Sequence, residues 1–133
     1  MTEEDWAVVE KRLRNLYSSV TLNCDGYVVY LQLRQISQFK LGILVYVNGI
    51  SKGSWLFEEC EERRRFLPIS YLRAYKLKER KMYQRFGKAT LKEWNIDLDK
   101  KIPLYGFYWT SFQRMKRHFC KNNTTIGLVS DEV

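Results

Sequence analysis

One histidine, His118, and three cysteines, Cys24, Cys60 and Cys120, are the side chains of this sequence best suited to act as base, nucleophile or soft metal ligand. His118 lies in Lys116-Arg117-His118-Phe119-Cys120-Lys121, where cationic neighbours disfavour its charged form. No spacing sets Cys120 or Cys24 beside it as an activated nucleophile, so a histidine on a helix surface is the expectation. The same four residues lack the close paired spacings of a structural zinc site. The seven glycines fall at turns or helix ends and build neither a phosphate-cradling loop nor a dinucleotide fingerprint. Asp97 with Asp99, and Glu58-Glu59-Cys60-Glu61-Glu62, have no partner motif and read as solvated turn and helix acids. The sequence thus predicts a protein that is not an enzyme, with no cofactor and no metal.

Charge offers a different chemistry. Between Arg63 and Lys92 there are eleven Lys or Arg residues and a single acid, Glu79, in a chain whose formal net charge is +8. Acids cluster just before, at Glu58–Glu62, and at the N-terminus in Glu3, Glu4, Asp5 and Glu10, so the surface should be bipolar. Arg73, Lys76, Arg80, Lys81, Arg85 and Lys88 form the expected binding set, with Arg114, Arg117 and Lys121 as a second. Such cations neutralise phosphates, and exposed aromatics among them stack on unpaired bases. Tyr71, Tyr75, Tyr83, Phe86, Trp94, Tyr105, Tyr108 and Trp109 are expected to be spent mostly on the core, so phosphate contact should outweigh base readout. A solvated basic surface, or salt bridges to the chain's own acids, would give the same pattern.

The elements that must carry these side chains follow from periodicity. Residues 2 to 17 read as an amphipathic helix, with Thr2 as N-cap and Trp6, Val9, Leu13 and Leu16 as its apolar stripe. From Val20 to Trp55, β-branched and aromatic residues alternate between Asp25-Gly26 and Asn48-Gly49, dipeptides suited to hairpin turns. Strands are expected at 20–24, 27–35, 39–47 and 50–55. In the second, Tyr27, Val29, Leu31 and Leu33 define an apolar face opposite Val28, Tyr30, Gln32 and Arg34. After Pro68 the spacing of Tyr71, Leu72, Tyr75, Met82, Tyr83 and Phe86 predicts a helix stopped by Gly87, with a short continuation over 89–94. Residues 95–108 read as loop. A further helix should begin at Thr110 or Ser111, turn Phe112, Met115 and Phe119 inward and end at Asn122-Asn123. A last strand is expected at 124–129 and a frayed tail at 130–133.

Together these give an α+β fold: an N-terminal helix, an antiparallel meander of four or five strands, and two C-terminal helices packed on one sheet face. A length of 133 residues with 45% apolar content fits a single globular domain, 1–133. The acidic start and the lack of a long apolar run speak against a targeting segment or membrane span. Three scattered cysteines speak for reduced core thiols and a cytoplasmic site.

Lys88 to Ile96, the aromatic entry Tyr108-Trp109-Thr110-Ser111-Phe112 into Arg114-Met115-Lys116-Arg117-His118, and the closing Lys121-Asn122-Asn123 resemble small phage and prophage proteins of the accessory type. Anti-CRISPR proteins are among these. The resemblance implies a non-enzymatic inhibitor that binds a host nucleic-acid-processing protein or ribonucleoprotein complex through its basic surface. The alternative is a protein that contacts DNA or RNA phosphates directly, without strong sequence readout.

Overall fold

The computed structural model describes residues 1–129, so the tail expected at 130–133 lies outside the described residues. The fold is α+β, and its contacts group into two compact units. One runs from Met1 to Pro68 and resumes at Tyr105; the other is Ile69–Leu104.

The first unit opens with helix α1, Glu3–Arg12. Thr2 and Asp5 form a reciprocal capping box, and Glu3 and Glu4 add negative charge at the positive end of the helix dipole. Trp6, Val9 and Leu13 are buried, as the stripe requires, but the helix is shorter than expected and Leu16 is exposed. The chain leaves the helix through Tyr17, in the left-handed region at φ 65°, whose amide donates to the Leu33 carbonyl at 2.9 Å. That bond directs it into the sheet.

Strands β1 (Ser19–Cys24), β2 (Tyr27–Ser37) and β3 (Lys40–Val47) form the antiparallel meander. Asp25-Gly26 joins the first two with φ of 49° and 90°, and Asn48-Gly49 turns the chain back after β3 with 51° and 81°. These are the paired positive angles of tight hairpin turns, which Asn, Asp and Gly adopt at the lowest steric cost. The strand expected at 50–55 does not form. Ile50 makes one bridge to Val47, and Gly53–Leu56 winds into a 3₁₀ turn that buries Trp55. The place beside β3 is taken instead by strand β6, Tyr108–Trp109, which starts on the last residue of the stretch expected to be loop. Strand β7, Ile126–Leu128, adds to the other edge, as expected, giving the five-stranded order β6-β3-β2-β1-β7.

Helices α2 (Glu61–Phe66) and α5 (Phe112–Asn122) cover one sheet face together with α1. Helix α5 begins at the predicted cap, Ser111, and buries Met115 and Phe119 one turn apart. Phe66 and Phe119 meet edge to face at 5.5 Å, and Tyr27 packs on Phe66 at 5.6 Å. The buried Trp109 indole N–H donates to the Phe66 carbonyl at 2.9 Å, satisfying the one polar atom of a large apolar side chain. Fully buried Phe66 and Phe119 each contribute about 1.5–3 kcal/mol. Val20, Leu22, Val29, Leu31, Ile43, Val45 and Val47 supply the sheet's share of this core.

The second unit holds strand β4 (Ile69–Arg73), helix α3 (Leu77–Gln84), helix α4 (Lys88–Glu93) and all but the last residue of strand β5 (Lys101–Tyr105). The expected helix over 71–86 is thus a strand followed by a helix. Tyr71 and Leu72 belong to β4, which pairs with β5 because the chain returns through 95–100 alongside it. Gly87 stops α3 and opens α4. No helix among the described residues is long and apolar enough to cross a membrane.

Candidate functional site

The predicted cationic set divides between the units. In the second unit, Arg73 ends β4, Lys76 caps α3, Lys81 lies within α3, Arg85 follows its end and Lys88 opens α4; all five are exposed. Arg80 differs. Its guanidinium is largely covered and donates to Asp99 at 3.0 Å, so one expected ligand-binding cation is already paired within its own unit. Lys78, which the sequence reading left out of the set, joins Lys81 and Arg85 on one helix face, at spacings of three and four. These three surround Met82, half-exposed, at a shallow concavity of about 490 Å³. Of the charged residues lining it, only Glu79 is acidic.

The aromatics of this unit correct the expectation that the core consumes them. Tyr71, Phe86 and Trp94 are 61%, 49% and 50% exposed, and Tyr108 in the first unit is also exposed. Only Trp109 of the eight is buried. Tyr75 packs edge to face on Tyr83 at 5.5 Å and Phe86 on Trp94 at 5.2 Å, so the rings contact one another while keeping accessible faces. The reason is size: a unit of so few residues has too little interior to hide them.

In the first unit, Arg114, Arg117 and Lys121 project from one exposed face of α5, opposite the buried Met115 and Phe119. The neighbouring Lys116 is committed: its Nζ donates to Glu3 at 2.7 Å and lies over the Trp6 ring at 5.8 Å. His118 is wedged, with its ring 5.1 Å from that of Trp109 and its Nε2 2.9 Å from the Arg64 carbonyl. Burial first, and Lys121 after it, pull its pKa below the ordinary histidine value, against the opposing bond to Arg64. The sequence had named the cationic neighbours alone.

The three cysteines are free thiols, but only Cys24 is a core residue; Cys60 is half-buried and Cys120 is exposed, against the expectation of core thiols. Burial, with Asp25 adding to it, pushes the Cys24 thiol up to about 12, so it stays protonated and inert at neutral pH. Cys60 Sγ accepts from the Arg63 amide at 3.4 Å, serving as the N-cap of α2. Among the described residues, no group of three or more His, Cys, Asp or Glu could hold a metal ion.

The most densely bonded polar cluster was invisible in the sequence. Asp25, in the β1–β2 turn, accepts from the amides of Thr124 and Thr125 at 2.8 Å, the Thr125 hydroxyl at 2.7 Å and Arg65 at 2.6 Å. Those bonds, led by the Thr125 hydroxyl, hold its carboxyl well below the usual carboxylate range. Arg65 also bonds Glu61 at 2.6 Å and Asn123 at 3.1 Å. These bonds tie the hairpin to α2 and to the start of β7. Residues a hundred positions apart meet there, which no local pattern could announce.

Protein-family models, curated proteins and solved structures were compared with the chain, and none matches it.

Proposed function

We propose that the chain is a non-catalytic binding protein whose basic 69–104 unit contacts the phosphates of a single-stranded nucleic acid. The carrying observation is the composition of that unit's surface. Nine exposed Lys or Arg residues stand there, with Arg80 already paired to Asp99, against Glu79, Glu93 and Asp97, interleaved with the exposed rings of Tyr71, Phe86 and Trp94. Cations supply sequence-independent affinity for a phosphate backbone, and rings stack on bases that are not already paired. The row Arg114, Arg117 and Lys121 on α5 offers a second set of phosphate contacts.

A second reading is favoured by Leu72, Leu77, Met82 and Leu104, which are exposed in the same unit and which phosphates do not need. Under it, the unit docks on a host nucleic-acid-processing protein, as the resemblance to phage accessory and anti-CRISPR proteins implies.

Titration of fluorescent single-stranded RNA and DNA across about 50–200 mM salt tests the first reading, because log affinity should fall linearly by about 0.7 per neutralised phosphate. A salt-insensitive constant, or none measurable, overturns it. Retention of a host protein partner after nuclease treatment, lost on reversing Lys81 and Arg85 to Glu, would establish the second.

A further inference from the structure

The face of the five-stranded sheet turned away from the helices carries an unusual set of side chains. Residues directly opposite on antiparallel strands share a face. Thr21 pairs with Tyr30 and Tyr30 with Tyr46; in the next row, Gln32 pairs with Leu44 and Leu44 with Tyr108. Thr21, Val28, Tyr30, Gln32, Arg34, Tyr46 and Gly49 line a concavity of about 430 Å³, within the range of about 300–1,000 Å³ typical of ligand sites. Tyr30 and Tyr46 stand edge to face at 5.9 Å and are only half-buried.

Tyr108 extends this surface. Its ring lies on Gly42, where a Cβ would meet Tyr108 Cδ2 at 3.0 Å, so the glycine is what lets the ring lie flat on the strand. Lys40 Nζ sits 5.8 Å from the same ring. A solvated sheet face usually bears charged and small polar residues; this one bears three tyrosines, a leucine and a valine. Charge adds direction. The only acid between Glu10 and Glu58 is Asp25, and its carboxylate is occupied by Arg65, Thr124 and Thr125, whereas Arg34 and Lys40 stand on β2 and β3. Among the described residues, the lining of this concavity is aromatic, amide-bearing and cationic and includes no carboxylate.

We propose that this open sheet face binds single-stranded nucleic acid, with unpaired bases stacking on Tyr30, Tyr46 and Tyr108 and the backbone phosphates drawn toward Arg34 and Lys40. Rings exposed on a rigid sheet supply stacking without sequence preference. Gln32, held by its Nε2 bond to the Tyr17 carbonyl at 2.9 Å, adds an oriented amide at the floor. The inference deepens the proposed function and rests on it for the class of ligand, but it assigns a different surface.

Photo-crosslinking of the wild-type chain separates the two. The probes are oligonucleotides of about 12 nucleotides, inside the usual span of about 4–16 for such a site, containing 4-thiouridine in RNA and 4-thiothymidine in DNA. Adducts on Tyr30, Tyr46 or Tyr108 support the sheet face, and the arm that gives them identifies RNA or DNA as the source. Adducts confined to residues 69–104 overturn this inference and leave the proposed function standing. Adducts on the sheet face alone do the reverse, and none at all overturns both. Tyr46→Ala should weaken binding about tenfold while Tyr46→Phe, which keeps the ring, binds nearly as wild type. If Tyr46→Glu instead abolishes a concentration-dependent dimer, the face belongs to a second copy of the chain and the proposal fails.

Discussion

Among the described residues, all seventeen of the hydrophobic core belong to the first unit, whereas residues 69–104 bury Leu91 alone. The first unit is held by interlocked rings and by the Asp25–Arg65 cluster; the second by one strand pair, two ring pairs and the Arg80–Asp99 bridge. A unit below about 40 residues seldom stabilises itself. This one also concentrates positive charge, which repels itself unless an anion is present. The difference separates two uses of the same residue types: aromatics between the helices and a broad sheet become core, while aromatics on a small unit remain on its surface.

The largest expected effect breaks that comparison directly. Phe66→Ala and Phe119→Ala should each cost about 3–5 kcal/mol in denaturant unfolding. Leu91→Ala should instead lower amide protection within 69–104 and leave the main unfolding midpoint in place. An equal loss of midpoint from all three substitutions would merge the units into one cooperative structure.

Next in size is binding. Replacing Lys81, Arg85 and Lys88 together by Ala should reduce the salt slope for single-stranded nucleic acid by about 2, at about 0.7 per phosphate contact. The corresponding change of Arg114, Arg117 and Lys121 sharpens the comparison, since a larger reduction there would move the main contact to the first unit.

Cysteine substitutions give a smaller effect. Cys24→Ser places a hydroxyl in an apolar core and should cost about 1–3 kcal/mol, while Cys120→Ser, at an exposed position, should stay within about 0.5 kcal/mol.

The smallest effect is a pH dependence confined to the first unit. The folded-state pKa of Asp25 is depressed, so the unfolded chain takes up its proton first, near pH 4. The contribution is therefore complete above about pH 4 and declines as pH falls further toward the folded value. Asp25→Asn should show a flatter loss of stability below pH 4 than the wild type, measured by thermal unfolding across that range.

Much of the first unit was legible because its signals are local. The capping residues Thr2 and Ser111, the turn pairs Asp25-Gly26 and Asn48-Gly49, and the buried pairs Val29/Leu31 and Met115/Phe119 each act within a few positions. The fourth strand was misread because Ile50–Trp55 has strand composition but competes for an edge that Tyr108-Trp109 takes from far along the chain. The helix expected at 71–86 failed in its first half for the same reason, since β4 is defined by pairing with β5. The cationic set was legible as a charge run, but Arg80's partner Asp99 was not. The open face of β2 was visible as Val28, Tyr30, Gln32 and Arg34; its tyrosine rows needed the register with β3 and β6.

Hydrogen exchange on the whole chain, with and without a single-stranded oligonucleotide at about 150 mM salt, where non-specific binding is weak, tests the central claim most directly. Without ligand, amides of 69–104 should exchange far faster than those of β1, β2 and α5. With ligand, protection should rise in 69–104, because phosphates there neutralise the charge and the bases cover the exposed rings. Unchanged exchange in 69–104, at a concentration where the oligonucleotide is bound, would contradict the account.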